Sequence, residues 1–260
     1  MGYKLDLKNP KDYNEKLQWL KLYDRNPEYT KLVDKYEVRE YIKETIGKDY
    51  LIPIYGVYKN FSEIVFEDLP KSFVIKATHT SGDVIIVKDK NKLNYKKLKR
   101  TIRKWLKSNH FYYSREWPYK DVKPRIIIEK LMVDKINDDL MDYKFLCFNG
   151  EPKYIEVMSD RFGEGGHKVN YFNLNWEKVD IKRKNRLSNN KNIKKPANLN
   201  RMIEISRVLS KNKRFSRIDL YNINGKIYFG EITFYPGGGH ILFENNETSR
   251  HLGNLIDLNK

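Results

Sequence analysis

The residues best suited to chemistry lie between Phe215 and Gly239, a stretch that reads Phe-Ser-Arg-Ile-Asp-Leu-Tyr-Asn-Ile-Asn-Gly-Lys-Ile-Tyr-Phe-Gly-Glu-Ile-Thr-Phe-Tyr-Pro-Gly-Gly-Gly. Two strand-like runs flank Asn222, Asn224 and Gly225, which are turn-forming residues. A hairpin turning near Asn224-Gly225 brings Asp219 of the first run beside Glu231 of the second. Two close carboxylates on buried strands repel unless a cation lies between them. Mg²⁺ takes such oxygen ligands, one or two carboxylates together with substrate phosphates. Arg217 precedes Asp219 by two residues, so strand alternation points both to one face, where Arg217 can meet an anion held by a metal. The competing reading is a surface hairpin whose charges are solvated.

Two further stretches offer cationic groups beside loops. In Ser72–Lys88 the apolar runs 73–75 and 84–87 bracket a loop of small residues, and Lys76 is the charge attached to the first run. A lysine there can serve a phosphate as a point charge. The loop Thr78–Gly82 supplies hydroxyls, an imidazole and backbone amides of the kind that bind anions. It is neither a Walker A loop nor a kinase glycine-rich loop. In Asp142–Val157 the Asn149-Gly150 pair signals a hairpin, and alternation puts Asp142, Lys144, Leu146 and Phe148 on one face. A lysine on that otherwise apolar face calls for a phosphate or carboxylate partner. Cys147, the single cysteine, excludes an internal disulfide and a cysteine-cluster zinc site and reads as a small core residue.

The elements that position these groups follow from apolar spacing. A first helix after Asn9-Pro10 places Trp19, Leu20, Leu22 and Tyr23 on one side, and Asn26-Pro27 ends it. A second pattern runs through Leu32, Val33, Tyr36, Val38, Tyr41, Ile42 and Ile46 to Gly47, with Asp34-Lys35 as neighbours within it. Residues 51–58 read as a strand. Residues 94–108 read as a basic helix with Leu98, Ile102, Trp105 and Leu106 inward. Residues 125–132 form a buried, central strand that ends at Glu129-Lys130, and the polar run after it is a candidate hinge. Arg161–Gly166 reads as a flexible loop, Val169–Trp176 as a strand and 180–200 as a mobile loop or lid. A helix at 198–211 turns Met202, Ile205, Val208 and Leu209 inward, and a short helix around His251–Leu258 closes the chain.

Composition sets the frame. The 260 residues are 40% hydrophobic, with 12 Phe and 19 Tyr, enough for a packed core. No apolar run is long enough to span a membrane, the first residues carry neither a signal segment nor a myristoylation pattern, and the single cysteine fits a reducing cytoplasm. The net charge of +17 suits nucleic acid, an anionic membrane surface or an acidic substrate. The absence of a helix-turn-helix, zinc-finger or single-strand RNA signature argues against nucleic acid.

Taken in order, Asn14-Glu15-Lys16, Asp34-Lys35, Leu69-Pro70, Phe73-Val74-Ile75-Lys76 with His79 and Ser81-Gly82, Ile128-Glu129-Lys130, Asp142-Tyr143-Lys144, Arg217-Ile218-Asp219 and Gly230–Pro236 resemble the teichuronopeptide-biosynthesis (TupA-like) branch of the ATP-grasp superfamily, found in bacterial surface-polysaccharide clusters. The resemblance implies an α+β fold, with two antiparallel-sheet lobes gripping a nucleotide and a short, mostly helical N-terminal region. The corresponding boundaries are 1–70, 71–131 and 132–260. It further implies that Lys76 contacts the nucleotide phosphates, that the loop carrying His79, Ser81 and Gly82 folds over them, and that Glu129, Lys130 and Leu131 meet adenine. Asp142 joins these cofactor-binding residues. Lys144 and Arg217 act on the transferring phosphoryl group, while Asp219 and Glu231 hold Mg²⁺, with Thr233 where the superfamily usually has an asparagine ligand. The implied activity is ATP-dependent joining of a carboxylate to an amine through an acyl phosphate. The expected partners are an acidic sugar or glycan precursor and an amine, with peripheral contact to an anionic membrane at the inner face of the cell envelope. A glycosyltransferase, a glycan kinase and a non-catalytic binder of anionic polymer are the alternatives. No Asp-x-Asp motif or βαβ series favours the first of them.

Overall fold

The structure, a computed structural model, describes residues 3–134, 141–159, 168–188 and 193–259. In chain order its helices and strands are α1 (Tyr13–Tyr23), α2 (Glu28–Val33), α3 (Val38–Thr45), β1 (Ile54–Tyr58), β2 (Phe73–Ala77), β3 (Val84–Val87), α4 (Tyr95–Lys107), α5 (Phe111–Ser114), β4 (Ile126–Lys130), β5 (Asp142–Phe148), β6 (Glu151–Ser159), β7 (Lys168–Phe172), β8 (Lys178–Val179), α6 (Leu199–Ser210), β9 (Phe215–Ile223), β10 (Lys226–Thr233) and α7 (Asn246–Asn254). Contacts group the chain into two compact units, 26–133 and a second made of 1–25 with 134–260. Residues 1–25 pack with the C-terminal half, and 26–70 pack with the strands that follow them.

The 26–133 unit is built on an antiparallel sheet in the order β1-β4-β2-β3. The β-branched run Ile126-Ile127-Ile128 suits a central strand buried on both faces, as expected from its sequence. Phe73, Ile75, Val87, Ile126 and Ile128 point to one face and pack against Leu98, Ile102 and Trp105 of α4. Those three recur at helical spacing behind the cap Asn94, whose side chain accepts the N–H of Lys97. Burying each such side chain stabilises the fold by about 1.5–3 kcal/mol. The Leu32–Ile46 pattern resolves into two helices, because the chain leaves helical geometry at Asp34. Asp34 and Lys35 are thus not neighbours within a helix. Gly47, at φ 110, follows the end of α3 and donates to Ile42 O, as its spacing foretold.

The second unit is a six-stranded antiparallel sheet in the order β10-β9-β5-β6-β7-β8. Asn149-Gly150 and Asn224-Gly225 turn its two long hairpins with positive φ at both residues, as type I′ turns require. Helix α6 packs on β5, β6 and β9 and buries Leu199, Met202, Ile205 and Leu209. Val208, expected inward, is 44% exposed. Helix α1 starts in a capping box of Asp12 and Glu15 and buries Tyr13, Leu17 and Leu20, while Leu22 and Tyr23 face outward, contrary to the sequence reading. The strand expected at Val169–Trp176 stops at Phe172, since Asn173 and Glu177 close a turn there. The last helix begins earlier than expected, at Asn246, under the cap Asn245.

Of the stretch read as a mobile lid, Lys182–Glu244, Lys184–Leu242 and Leu187–Val169 backbone bonds fasten the described part. Residues 189–192, the Arg161–Gly166 run and the polar run Lys135–Asp139 lie outside the described residues. Among the described residues, no helix is long and apolar enough to cross a membrane.

Candidate active site

The register of the β9–β10 hairpin creates the acidic pair. From Ile223↔Lys226 to Leu220↔Phe229 the strands pair regularly, and continuing that register would set Gly230 opposite Asp219. A bulge at Gly230 shifts the ladder by one residue, so Glu231 faces Asp219 and Thr233 faces Arg217. Only glycine fits there, because a Cβ would stand 2.9 Å from the Asp219 carbonyl oxygen.

Arg217 lies at the centre of the group. Its Nε and Nη2 donate to the two Asp219 oxygens at 2.7 and 2.8 Å, a bidentate pairing. Nη2 also reaches Glu231 Oε1 at 2.9 Å and Thr233 Oγ1 at 3.1 Å. Lys144, opposite Asp219 on β5, donates to Asp219 Oδ2, and its ammonium is 3.9 Å from Asp142. Burial opposes charge on Arg217, but the Asp219 and Glu231 carboxylates outweigh it and raise its pKa. Burial pushes the Asp219 carboxyl up, and the Arg217 and Lys144 charges pull it back. Asp219 is 4% exposed, whereas the Glu231 side chain is 38% exposed.

The same row continues across the sheet to residues that sequence reading did not single out. Lys144 faces Glu156 on β6, and Glu156 faces Tyr171 on β7. The buried Glu156 carboxylate accepts from Tyr171 Oη at 2.8 Å and from Arg183 Nη1 at 3.2 Å. Burial first, then the Glu156 charge, raises the Tyr171 pKa. Helix α1 supports this unit in another way. Asn14 exchanges two hydrogen bonds with the Ile241 backbone, and Gln18 and Lys21 donate to Gly238 O. They hold the Gly237–Gly239 turn, where all three residues have positive φ.

In the 26–133 unit, Lys76 pairs with Glu129 at 2.5 Å across β2 and β4. Both lie on the sheet face opposite the one packed by α4, beside Val84 and Ile86, which are 41% and 40% exposed. An exposed apolar shelf thus lies next to the lysine–glutamate pair. The loop that follows is only partly open. Ser81 and Gly82 are exposed, but Thr78, His79 and Thr80 are buried. The His79 imidazole points into the core and its Nε2 donates to Trp105 O at 2.9 Å, so its side chain is not offered to a ligand at the surface. Lys130 is exposed, and its amide donates to Pro53 O. Leu131 is half-buried just beyond the strand end. The sequence-derived residues thus fall into two groups: Asp142, Lys144, Arg217, Asp219, Glu231 and Thr233 in one unit, Lys76, His79, Ser81, Gly82, Glu129, Lys130 and Leu131 in the other.

Among the described residues, no three His, Cys, Asp or Glu side chains converge as a self-sufficient metal cage. Asp219, Glu231 and the Thr233 hydroxyl instead converge on one guanidinium nitrogen, and they form an all-oxygen donor set of the kind that a hard divalent ion takes.

The chain is similar to several solved ligases. A D-alanine–D-alanine ligase from Bacillus anthracis complexed with ATP shares 17% identity over 78% of this chain and 55% of its own, with a TM-score of 0.45. The chain therefore spans little more than half the length of that protein. The enzyme of the same name from Helicobacter pylori shares 18% identity over 95% of this chain and 68% of its own, with a TM-score of 0.48. An L-amino acid ligase from Bacillus licheniformis shares 14% identity over 87% and 47%, also with a TM-score of 0.48. Comparison with curated proteins gives no match. The profile of the TupA-like ATPgrasp family matches residues 15–257, nearly the whole chain, and every element that carries the two residue groups falls within it. The chain belongs to the TupA-like ATP-grasp family.

Proposed function

We propose that the protein is an ATP-dependent carboxylate–amine ligase that modifies an acidic cell-surface saccharide or its precursor. The observation that carries the reading is the Arg217 guanidinium shared among Asp219, Glu231 and Thr233, with Lys144 on the same carboxylate, in a chain of ATP-grasp lineage. In this reading ATP is a substrate. A carboxylate oxygen of the acceptor bonds to the γ-phosphorus as the β–γ bridge breaks and ADP leaves. The amine nitrogen then forms a C–N bond as the acyl C–O bond to phosphate breaks, and the amine proton passes to solvent.

Little covalent help is needed for either step, so the protein contributes positioning and charge. Lys76 and the exposed Ser81–Gly82 amides take the phosphates, and the Val84–Ile86 shelf with Glu129 takes the base. Lys144 and Arg217, held beside Asp219, are placed to neutralise the transferring phosphoryl group once phosphate and metal enter the cluster. Asp219 and Glu231 would hold Mg²⁺, with Thr233 beside them, and the ion would supply further neutralisation of the phosphate oxygens. The +17 charge suits an acidic saccharide and an anionic bilayer surface where such precursors are assembled.

Product analysis tests this. With Mg·ATP, uronate-containing saccharides and a panel of amines, the expected result is ADP and phosphate formed in step with an amide, only when both co-substrates are present. A phosphate ester on the saccharide, or sugar transfer from a nucleotide sugar without ATP consumption, would replace the ligase by a kinase or a glycosyltransferase.

A further inference from the structure

The Thr78–Gly82 loop is gripped from one side by the short link between α2 and α3. The Lys35 amide donates to Thr78 O at 3.1 Å, and the Lys35 ammonium donates to Thr80 O. The link itself is tightly anchored. Asp34 accepts the Tyr36 and Glu37 amides through Oδ1, and its Oδ2 receives Arg125 Nη2 at 2.6 Å. Arg125 also pairs with Glu37 at 2.8 Å and stacks on Tyr36 at 4.7 Å. Its backbone carbonyl accepts the Thr78 amide, which closes the circuit back to the loop. All of these groups belong to the 26–133 unit.

We infer that Lys35 is a positioning residue that aims the Ser81 amide of this loop at a bound phosphate; the inference rests on the nucleotide reading of the loop. A trans peptide is planar, with its C=O and N–H pointing to opposite sides. Holding the Thr80 carbonyl toward Lys35 therefore turns the Ser81 N–H, which belongs to the same peptide, away from it. Ser81 and Gly82 are exposed, and neither amide has an acceptor among the described residues. The buried base of the loop is fixed and its tip presents donors, the arrangement that an anion site made of main-chain amides needs. A lysine is required rather than a mere spacer because an ammonium bonded to a carbonyl is a charge-assisted clamp.

The experiment compares calorimetric affinities for Mg·ATP and for adenosine, which lacks phosphates, in wild-type, Lys35→Met and Lys35→Arg proteins. Methionine keeps the stem and removes the ammonium. The expected result is about a tenfold loss of Mg·ATP affinity in Lys35→Met, unchanged adenosine affinity and substantial rescue by Lys35→Arg, for one charge-assisted contact removed. Equal losses for ATP and adenosine would mean that Lys35 only supports the fold and would overturn the positioning role. Unchanged affinity for ATP in Lys35→Met would overturn it as well. A wild-type protein that binds adenosine but gains nothing from the phosphates would overturn the phosphate-loop assignment. Failure of the wild type to bind either ligand would overturn the nucleotide reading itself.

Discussion

Asp219 meets two cations with its two oxygens, so each of the three side chains fixes the position of the others. Arg217 is held by both oxygens, and Lys144 binds the one that faces β5. These residues were legible in the sequence because strand alternation puts Arg217, Asp219 and Lys144 on predictable faces. Glu156 and Arg183 were not. Arg183 reaches Glu156 from a segment fixed by a bridge to Phe243, a long-range pairing that no local pattern reveals. His79 illustrates a different miss, since its loop suggested an exposed ligand while its side chain is 2% exposed. Burial lowers its pKa, the Trp105 carbonyl opposes that, and the nearby Lys35 charge adds to the lowering. The folded protein therefore keeps His79 neutral at pH values where the unfolded chain, with a pKa of about 6.5, takes up a proton. The stability this contributes is present above that value and is lost as pH falls through it toward the folded pKa. Glutamine at this position retains an amide that can reach Trp105 O and does not titrate. The thermal midpoint of His79→Gln is expected to fall less between pH 7 and pH 5 than that of the wild type; parallel slopes would contradict the assignment.

At the scale of elements, hairpins were the most legible features and helix faces the least. Asn149-Gly150 and Asn224-Gly225 announce their turns because few residues tolerate consecutive positive φ. The bulge was the hidden step. A two-residue turn alone sets Gly230, not Glu231, across from Asp219, and the only sign in the sequence was a glycine inside an otherwise regular strand. The helix faces misread at α1 and α6 failed for a related reason. Leu22, Tyr23 and Val208 are apolar but lie off the buried faces of their helices, and apolar character alone does not tell which face the tertiary packing covers. The bulge leads to a prediction. In Gly230→Ala the new Cβ would press on the Asp219 carbonyl, a backbone atom that cannot swing aside. The cost is about 1–3 kcal/mol of stability, read by urea unfolding. The larger consequence is a displaced Glu231, and ATP turnover is expected to fall at least tenfold, to a degree that the lost stability does not account for, since folded protein still predominates. Wild-type turnover in this variant would show that the bulge is not needed to pair the two carboxylates.

For the whole molecule, the sequence conveyed the α+β class and both sheets but not the course of the chain. It enters the 26–133 unit after Arg25 and leaves it after Val133, so α1 serves the sheet formed by the other end of the sequence. No periodicity signals this, because Asn14, Gln18 and Lys21 of α1 read main-chain groups of the segment that follows β10, more than two hundred residues away. The Asn14-Glu15-Lys16 motif has a structural explanation on these terms. Asn14 pairs with Ile241, Glu15 accepts the amides of Asp6, Lys11 and Asp12, and Lys16 donates to Ile256 O. In the proposed ligase the carboxylate pair beside Arg217 serves Mg·ATP. Glu231 is the better probe, because its side chain is partly exposed, whereas neutralising Asp219 would also strip two buried cations of their shared partner. Calorimetric titration of ATP, with and without Mg²⁺, into wild-type and Glu231→Gln proteins of matched thermal midpoint isolates the part of the affinity that passes through this carboxylate. Mg²⁺ is expected to tighten ATP binding to the wild type by about tenfold or more, about 1.4 kcal/mol, and Glu231→Gln to lose this gain while retaining its affinity for ATP alone. An undiminished Mg²⁺ effect in the variant, or no ATP binding by the wild type, would contradict that role.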